Sequence, residues 1–252
     1  MVKRFSRSLR QQELWDTWDR PNYLTGVLRG ADQAKEENIN KICALEFGVA
    51  SGRGLLALQA VAEAVEAETG VAVEVYGFDT GQGLTPPAEY RDHPDRWQAG
   101  DFAMMDQTAL RQKLKPRTQL VLGDVADTVD KFVDTIQTCP VGFVAIDLDY
   151  YSSTVHALKV VGKKNRKMLA HVPVYFDDMI FYGASPYAGE LLAIREFNER
   201  GYPVTIDPWN SLGFLRPFND RQWVRAMHIA NDWERIGRMS TVGQQKLVLP
   251  MS

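Results

Sequence analysis

Cysteine is scarce in this sequence, and its scarcity excludes two kinds of architecture. There are only two cysteines among 252 residues, Cys43 and Cys139, and each lies in or beside an apolar run. A disulfide-rich fold needs more than two cysteines, and the chain has no Cys-x-x-Cys pair for a zinc site. We therefore expect two buried thiols in a reducing compartment.

Long apolar runs and an excess of positive charge are also missing. No apolar stretch reaches the roughly 20 residues that a bilayer-spanning helix needs. The basic N-terminal residues are followed by Gln11, Gln12 and Glu13, which is not the pattern of a secretory signal. The net charge is −3, whereas nucleic-acid-binding proteins usually carry a basic excess. We expect a cytoplasmic protein whose partners include neither a membrane nor a nucleic acid.

The sequence does contain a regular alternation of short apolar runs with longer amphipathic ones, which predicts β-strands followed by helices. The predicted strands are residues 42–47, 71–78, 119–122, 141–146 and 172–176. The predicted helices are residues 55–68, 107–114, 125–137, 153–169 and 187–200. Such a series indicates an α/β fold, with a parallel sheet covered by helices on both faces. In these sheets a ligand lies beyond the carboxyl ends of the strands.

The two ends of the chain follow a different pattern. Residues 204–208 and 212–217 predict a β-hairpin around Asn210 and Ser211. The aromatic residues of the N-terminal part indicate a helical lid or an oligomer contact, so a homo-oligomer is one expectation. The length fits a single hydrophobic core with additional segments at both ends of the chain. We divide the chain into an N-terminal helical segment (1–40), a core (41–218) and a C-terminal extension (219–252).

A glycine-rich loop after the first predicted strand is the strongest functional signal. Residues 46–54 read EFGVASGRG, and this spacing matches neither a dinucleotide fingerprint nor a phosphate loop. An acid at the strand end repels a pyrophosphate but suits the ammonium of an amino acid, and the N–H groups that open the next helix suit its carboxylate. We expect the loop to hold the methionine part of S-adenosylmethionine through Glu46, Gly48, Ser51, Gly52 and Gly54.

Further acids follow the second and third predicted strands. Asp79, beside Thr80, is placed to accept the ribose hydroxyls of an adenosine group. Asp124, beside Gly123, is placed to accept the adenine amine. Both acids are alternatively turn or helix-cap residues, since aspartate favours these positions.

Carboxylates are dense after the fourth and fifth predicted strands. Asp147 and Asp149 follow the fourth strand, and Asp177 and Asp178 follow the fifth. Neighbouring strand ends converge, and grouped carboxylates repel one another unless a cation lies among them. Oxygen ligands favour Mg²⁺ or Ca²⁺ and are compatible with Mn²⁺. The alternative is that these acids cap helices or pair with lysine and arginine.

With these residues in view, the chain resembles the class I methyltransferases and, more narrowly, the macrocin O-methyltransferase family. Residues 78–84, FDTGQGL, are similar to the family's F-D-S-F-x-G-L, and residues 147–154, DLDYYSST, are similar to its D-x-D-x-Y-x-S-T. The resemblance extends from about residue 41 to about residue 201. It also includes, further along the chain, Asp177, Asp178, Gly183, Ala184, Glu196 and Phe197.

The resemblance implies a doubly wound, mostly parallel seven-stranded sheet and S-adenosylmethionine as cofactor. It also implies that Asp147, Asp177 and Asp178 bind Mg²⁺, which holds the acceptor hydroxyl and lowers its pKa. A nearby acid, Asp147 or Asp149, would then take the proton. Asp149 is alternatively a fourth metal ligand or an outward-facing residue that orients the loop, and Asp147 would also contact the cofactor. We expect an O-methyltransferase that acts on a hydroxyl of a small molecule, such as a sugar or another natural product.

Three alternatives to this function remain. The first is a metal-independent N- or O-methyltransferase in which the acids are structural. The second is a nucleotide-linked oxidoreductase, which the glycine spacing and Glu46 argue against. The third is a non-catalytic S-adenosylmethionine-binding protein, which would have no need of the acidic cluster.

Overall fold

A computed structural model describes residues 8–214 and 216–239 and shows one sheet with helices packed on it. The sheet has seven strands in the order β3-β2-β1-β4-β5-β7-β6. The strands are β1 Lys41–Phe47, β2 Ala72–Asp79, β3 Thr118–Leu122, β4 Val141–Ile146, β5 His171–Phe176, β6 Val204–Pro208 and β7 Met227–Asp232. β1 to β5 are parallel, and β7 is antiparallel to both of its neighbours. The predicted α/β class and the seven-stranded, mostly parallel sheet are confirmed.

The helices form two groups, one on each face of the sheet. α2 contacts α3 and lies against β4 and β5, whereas α6 contacts both α5 and α8. The helices are α1 Leu9–Leu14, α2 Pro21–Glu36, α3 Arg53–Thr69, α4 Gln107–Lys113, α5 Val125–Lys131, α6 Tyr151–Ala157, α7 Lys159–Gly162, α8 Gly189–Glu199, α9 Gln222–Ala226 and α10 Trp233–Arg238. A π-type turn, Phe132–Ile136, continues α5. No helix in the described part of the chain is long and apolar enough to cross a membrane.

α2 packs closely on the centre of the sheet because two of its residues are glycines. It begins at Pro21, whose missing N–H is not needed in the first turn. A Cβ at Gly30 would overlap the carbonyl of Gly142 in β4, and a Cβ at Gly26 would overlap the Phe143 ring. The N-terminal segment 1–40, predicted as a lid or oligomer contact, therefore supplies a helix of the central packing.

The predicted hairpin is wrong. β6 pairs with β7, with Thr205 opposite Asn231, and the residues after Trp209 form turns. β6 pairs with this later segment because β7 lies between β5 and β6 in the sheet. On the side of β5, Asn231 Oδ1 accepts a hydrogen bond from the His171 ring at 2.8 Å. The sheet therefore extends beyond the predicted core boundary at residue 218. The remainder of the predicted extension, 240–252, lies outside the described residues.

The predicted helix 153–169 is shorter and broken. α6 and α7 replace it, and α7 ends at Gly162. The basic residues that follow turn towards acids on other elements, where Lys163 pairs with Asp134 and Arg166 pairs with Asp232. These ion pairs hold the segment in a non-helical turn before β5.

Candidate active site

A cavity of about 340 Å³ opens at the carboxyl ends of β1 to β5. This is the edge at which parallel α/β sheets bind ligands. Of the residues predicted to bind the cofactor, those in its wall are Gly48, Asp79, Thr80, Gly123, Asp124 and Asp147. The acids Asp149, Asp177 and Asp178 line the same cavity, so one space joins the predicted cofactor and metal residues.

Most of the predicted residues of the glycine-rich loop lie behind the cavity wall and not in it. Gly48 has φ of 87° and Gly52 has φ of 86°, values that glycine adopts without strain. Gly52 lies directly before α3, and a Cβ at Gly54 would overlap the Glu46 carboxylate. The predicted residues Glu46, Ser51, Gly52 and Gly54 are not in the cavity wall.

Glu46 is fully buried beneath this loop. The Tyr23 hydroxyl donates to its Oε1 at 2.7 Å, and its Oε2 has no hydrogen-bond partner among the described residues. Burial raises the pKa of Glu46 to about 8, with an opposing contribution from the Tyr23 hydrogen bond. The unpaired oxygen leaves Glu46 able to accept a further donor, but the side chain is not in the cavity wall, so the ammonium contact stays a prediction.

Asp79 joins the glycine loop to the turn after β2. Its Oδ2 accepts the N–H groups of Val49 and Ala50 at 2.8 and 2.9 Å, and its Oδ1 accepts that of Gly81 at 2.6 Å. The neighbouring Thr80 hydroxyl donates to the Gly83 carbonyl. Asp79 thus has the turn role that its residue type favours, while it also lines the cavity.

Asp124 caps a helix and also lines the cavity. It is the N-cap of α5, where its Oδ1 accepts the Ala126 N–H at 2.8 Å. It also lines the cavity beside Gly123, whose φ is 139°. An N-cap carboxylate has lone pairs to spare, so the cap leaves the predicted adenine contact open.

Three carboxylates meet where β4 and β5 end. The pairing of Ile146 with Phe176 brings the following acids side by side, and one oxygen each from Asp147, Asp177 and Asp178 lies within 4.8 Å of the others. Burial and the charges of Asp177 and Asp178 raise the pKa of Asp147 well above its usual value. Burial and Asp177 likewise raise the pKa of Asp178 to about 6.

This cluster suits a hard cation. It offers only oxygen ligands, and Asp178 Oδ2 is buried without a hydrogen-bond partner among the described residues. A divalent ion would relieve the repulsion that raises these pKa values and would satisfy the unpaired oxygen. The donor set therefore fits Mg²⁺.

Asp149 lies beside this cluster in an unusual backbone conformation. Its φ is 62°, which is uncommon outside glycine, and only 7% of the residue is exposed. Burial, followed by the charge of Asp178, raises its pKa to about 8. The turn places Asp149 in the cavity wall next to the predicted ligands.

Sequence patterns missed several residues around the acids. Glu190 in α8 is fully buried, and its Oε2 accepts the Asp178 N–H at 2.9 Å. The Tyr175 hydroxyl donates to Asp177 from the preceding strand. An acid in the first turn of a helix is typical of a helix start, so nothing in the sequence set Glu190 apart.

The segment between β2 and α4 covers the cavity with aromatic side chains. Trp97 and Phe102 line it and contact each other edge to face, with ring centroids 5.8 Å apart. The Arg96 guanidinium lies over the Trp97 ring and over Phe181 from the loop after β5. These residues join the cover to the loop that follows the Asp177–Asp178 pair, and no periodic pattern in the sequence predicted this contact.

The architecture is similar to that of two methyltransferases of known structure. The calicheamicin methyltransferase CalS11 aligns with a TM-score of 0.51 and 23% sequence identity, over 69% of this chain and 69% of that one. The O-methyltransferase NovP aligns with a TM-score of 0.52 and 17% identity, over 71% of this chain and 72% of that one. No protein-family model matches the sequence, and no curated protein matches it significantly. The comparisons therefore establish the architecture: the chain has the class I methyltransferase fold.

Proposed function

We propose that this protein is an S-adenosylmethionine-dependent O-methyltransferase that uses Mg²⁺ and acts on a hydroxyl of a small molecule, a sugar or another natural product. The observation that carries the proposal is the position of the three-carboxylate cluster. It lies in the wall of the cavity that Asp79 and Asp124 also line. Methyl transfer requires the methyl donor and the acceptor to be aligned in one cavity, and this arrangement would place them there. The two similar structures, both methyltransferases by name, agree with it.

S-Adenosylmethionine would supply the methyl group. Within the chain, Asp79 and Asp124 are positioned to accept the ribose hydroxyls and the adenine amine at one end of the cavity. The loop at Gly48 would pass under the methionine part, and Glu46 would receive the ammonium or hold the loop through Tyr23. The cofactor would then extend towards the acids after β4.

Mg²⁺ held by Asp147, Asp177 and Asp178 would polarise the acceptor hydroxyl and lower its pKa. Asp149 is the residue we assign as proton acceptor, because it lines the cavity in contact with Asp178 but is not in the ligand cluster. Asp147 is the alternative acceptor. The aromatic cover formed by Trp97 and Phe102 would exclude water during transfer.

Calorimetric titration of S-adenosylmethionine and its demethylated product, with and without Mg²⁺, tests the proposal. We expect micromolar cofactor binding to the wild type, to Asp177→Asn and to a matched control, Asp134→Asn. Asp134 is an exposed acid whose partners are Lys163 and Asn165, so its loss leaves the cavity unchanged. A separate Mg²⁺ heat is expected in the wild type and the control and is absent from Asp177→Asn.

The acceptor is then sought among hydroxylated small molecules, with and without a chelator. Methyl transfer that stops on chelation and returns with Mg²⁺ is the expected result. Transfer that continues in the chelator would favour the metal-independent alternative. Cofactor binding without turnover on any acceptor would favour a non-catalytic binding protein. The absence of any cofactor heat would overturn the central claim.

A further inference from the structure

A second cluster of reactive side chains lies at the amino-terminal ends of the central strands, opposite the end that carries the cavity. Cys43 is in β1 and Cys139 precedes β4, so these two sulfurs come from neighbouring strands near their amino-terminal ends. The Cys43 N–H donates to the Pro140 carbonyl at 2.8 Å, which fixes the two segments against each other. This cluster takes no part in the proposed methyl transfer.

The two sulfur atoms are in direct contact. Cys43 Sγ lies 2.8 Å from Cys139 Sγ and 3.2 Å from the Cys139 carbonyl oxygen. A disulfide bond is about 2.05 Å long, so the sulfurs need to approach by less than about 1 Å to form one. Cys43 is fully buried and Cys139 is 5% exposed, which leaves Cys139 as the sulfur nearer to solvent.

The contact between the sulfurs shifts the pKa values of the two thiols in opposite directions. The hydrogen bond between the sulfurs lowers the pKa of the Cys139 thiol and raises that of Cys43. Burial and the charge of Glu74, whose Oε2 lies 3.8 Å from Cys139 Sγ, oppose this lowering, and the charge of Lys41 supports it. A thiolate with an adjacent thiol is the arrangement that reacts with oxidants and is then resolved as a disulfide.

Glu74 is close enough to complete a metal site with the two cysteines, but its oxygens are already occupied. Lys41 pairs with Oε1, and the hydroxyls of Tyr76 and Thr138 donate to Oε2. A cation at the sulfurs would have to displace these partners. The geometry therefore favours a bond between the sulfurs over a shared metal ion.

We propose that Cys43 and Cys139 form a reversible oxidative modification site, a dithiol that a peroxide converts to an intramolecular disulfide. The Cys139 thiolate attacks one peroxide oxygen, so that an S–O bond forms, the O–O bond breaks and hydroxide leaves. Cys43 then attacks that sulfur, the S–S bond forms and the S–O bond breaks. The two thiols lose two electrons to hydrogen peroxide, and their protons end in the two water molecules released.

The 252-residue sequence contains two cysteines, Cys43 and Cys139, which makes the test direct. The reduced protein, freed of reductant, is treated with hydrogen peroxide and examined by intact mass and by thiol titration under denaturing conditions. We expect a loss of two hydrogen masses, disappearance of both thiols together, and full reversal by dithiothreitol. The melting temperature should rise by several degrees on oxidation, because the new link joins residues 96 positions apart and restricts the unfolded chain.

Single variants separate the roles of the sulfurs. Cys43→Ser should stop at a sulfenic acid on Cys139 that dimedone traps, and Cys139→Ser should react much more slowly. Neither variant should gain melting temperature with peroxide. The wild-type mass and thiol measurements remain decisive if a variant fails to fold, and none of them depends on methyl transfer.

Three results would overturn the proposal, and the first two concern the state of the thiols. One is persistence of both thiols in the folded protein at a peroxide concentration that oxidises glutathione in the same tube. The other is a stoichiometric zinc ion in the purified protein that protects both thiols until a chelator removes it. Disulfide-linked dimers in place of the internal bond would also contradict it.

Discussion

The acids of the cavity differ in whether the chain itself satisfies their oxygens. Asp79 accepts three backbone N–H groups, whereas Asp178 and Glu46 each keep an oxygen that no described residue satisfies. Buried unpaired oxygens are destabilising in the ligand-free protein and gain most from a cation. The effects of a metal or an ammonium group should therefore be largest at Asp178 and Glu46.

Mg²⁺ should stabilise the folded protein through this cluster. An ion that binds only the folded state raises stability by about 2.7 kcal/mol at one hundred times its dissociation constant. We expect millimolar Mg²⁺ to raise the melting temperature of the wild type and of Asp134→Asn, and to leave that of Asp178→Asn unchanged. An equal rise in all three proteins would show that the ion acts elsewhere.

Glu46 should give the unfolding free energy a pH dependence. Its pKa is about 8 in the folded protein, above the roughly 4.3 of an unfolded glutamate, so the folded state binds the extra proton between these values. Stability from this group is fully present below the lower value and is lost as the pH rises to about 8. Within that window the loss is about 1.4 kcal/mol per pH unit.

Glu46→Gln tests this dependence because it keeps the side-chain shape and cannot ionise. Urea unfolding at several pH values from 5 to 9 should be flatter for Glu46→Gln than for the wild type, and the variant should be the more stable protein above about pH 8. Parallel curves for the two proteins would contradict the raised pKa.

The positions of the site acids could be predicted from the sequence, but their partners could not. Acids that follow strands of a parallel sheet must gather at one edge, which placed Asp124 and Asp177 at the cavity from order along the chain alone. Glu190 came from α8, and its contact with the Asp178 N–H depends on how that helix docks. Contacts of this kind depend on tertiary packing, about which periodicity carries no information.

At the scale of elements, the parallel strands were predictable and the antiparallel pair was not. β1 and β4 are almost entirely buried and read as continuous apolar runs. β7 reads Met-His-Ile-Ala-Asn-Asp, in which polar and apolar residues follow no strand period, so no strand was predicted there. Its partner β6 is the preceding strand, but the residues between Pro208 and Met227 form a connection much longer than the two- to five-residue loops that hairpin rules consider.

The contact of α2 with the sheet should depend on the absence of a side chain at Gly30. A Cβ there would overlap the Gly142 carbonyl, which is backbone and cannot move aside, so α2 would be forced away from β4. We expect Gly30→Ala to lower the free energy of unfolding by about 1–3 kcal/mol, as overpacking usually does.

Gly237→Ala is the matched control for that prediction. Gly237 is also helical, in α10, and a Cβ there would meet nothing within 4 Å. Alanine should be neutral or slightly stabilising at this position, because it is the better helix former. Chemical denaturation of both variants measures the difference, and equal stabilities would show that the close approach of α2 to β4 is not needed.

At the scale of the whole molecule, the region around α1 contacts the segment that follows β6. The side chain of Arg216, after β6, is buried between Glu13 and Asp16 near α1 and donates to both. Its guanidinium also lies over the Trp223 ring, 4.7 Å from the centroid. The predicted N-terminal segment is thus joined to the end of the predicted core, about two hundred positions away, which no local pattern in the sequence reveals.

Arg216→Leu should therefore destabilise the whole fold. Leucine would leave the Glu13 and Asp16 carboxylates buried without their cation, and breaking a buried pair in this way costs about 3–5 kcal/mol. The effect should appear as a lower urea midpoint with an unchanged slope, since the same surface is exposed on unfolding.

Arg117→Leu gives the comparison for that value. Arg117 pairs with Glu66 on the surface, where half of its side chain is exposed, and exposed pairs contribute about 0.2–1 kcal/mol. If Arg216→Leu lowered the free energy of unfolding no more than Arg117→Leu, the α1 region and the segment after β6 would be joined by apolar packing alone. A large difference between the two, with cofactor binding retained in Arg216→Leu at low temperature, would assign this buried cluster to folding rather than to the site.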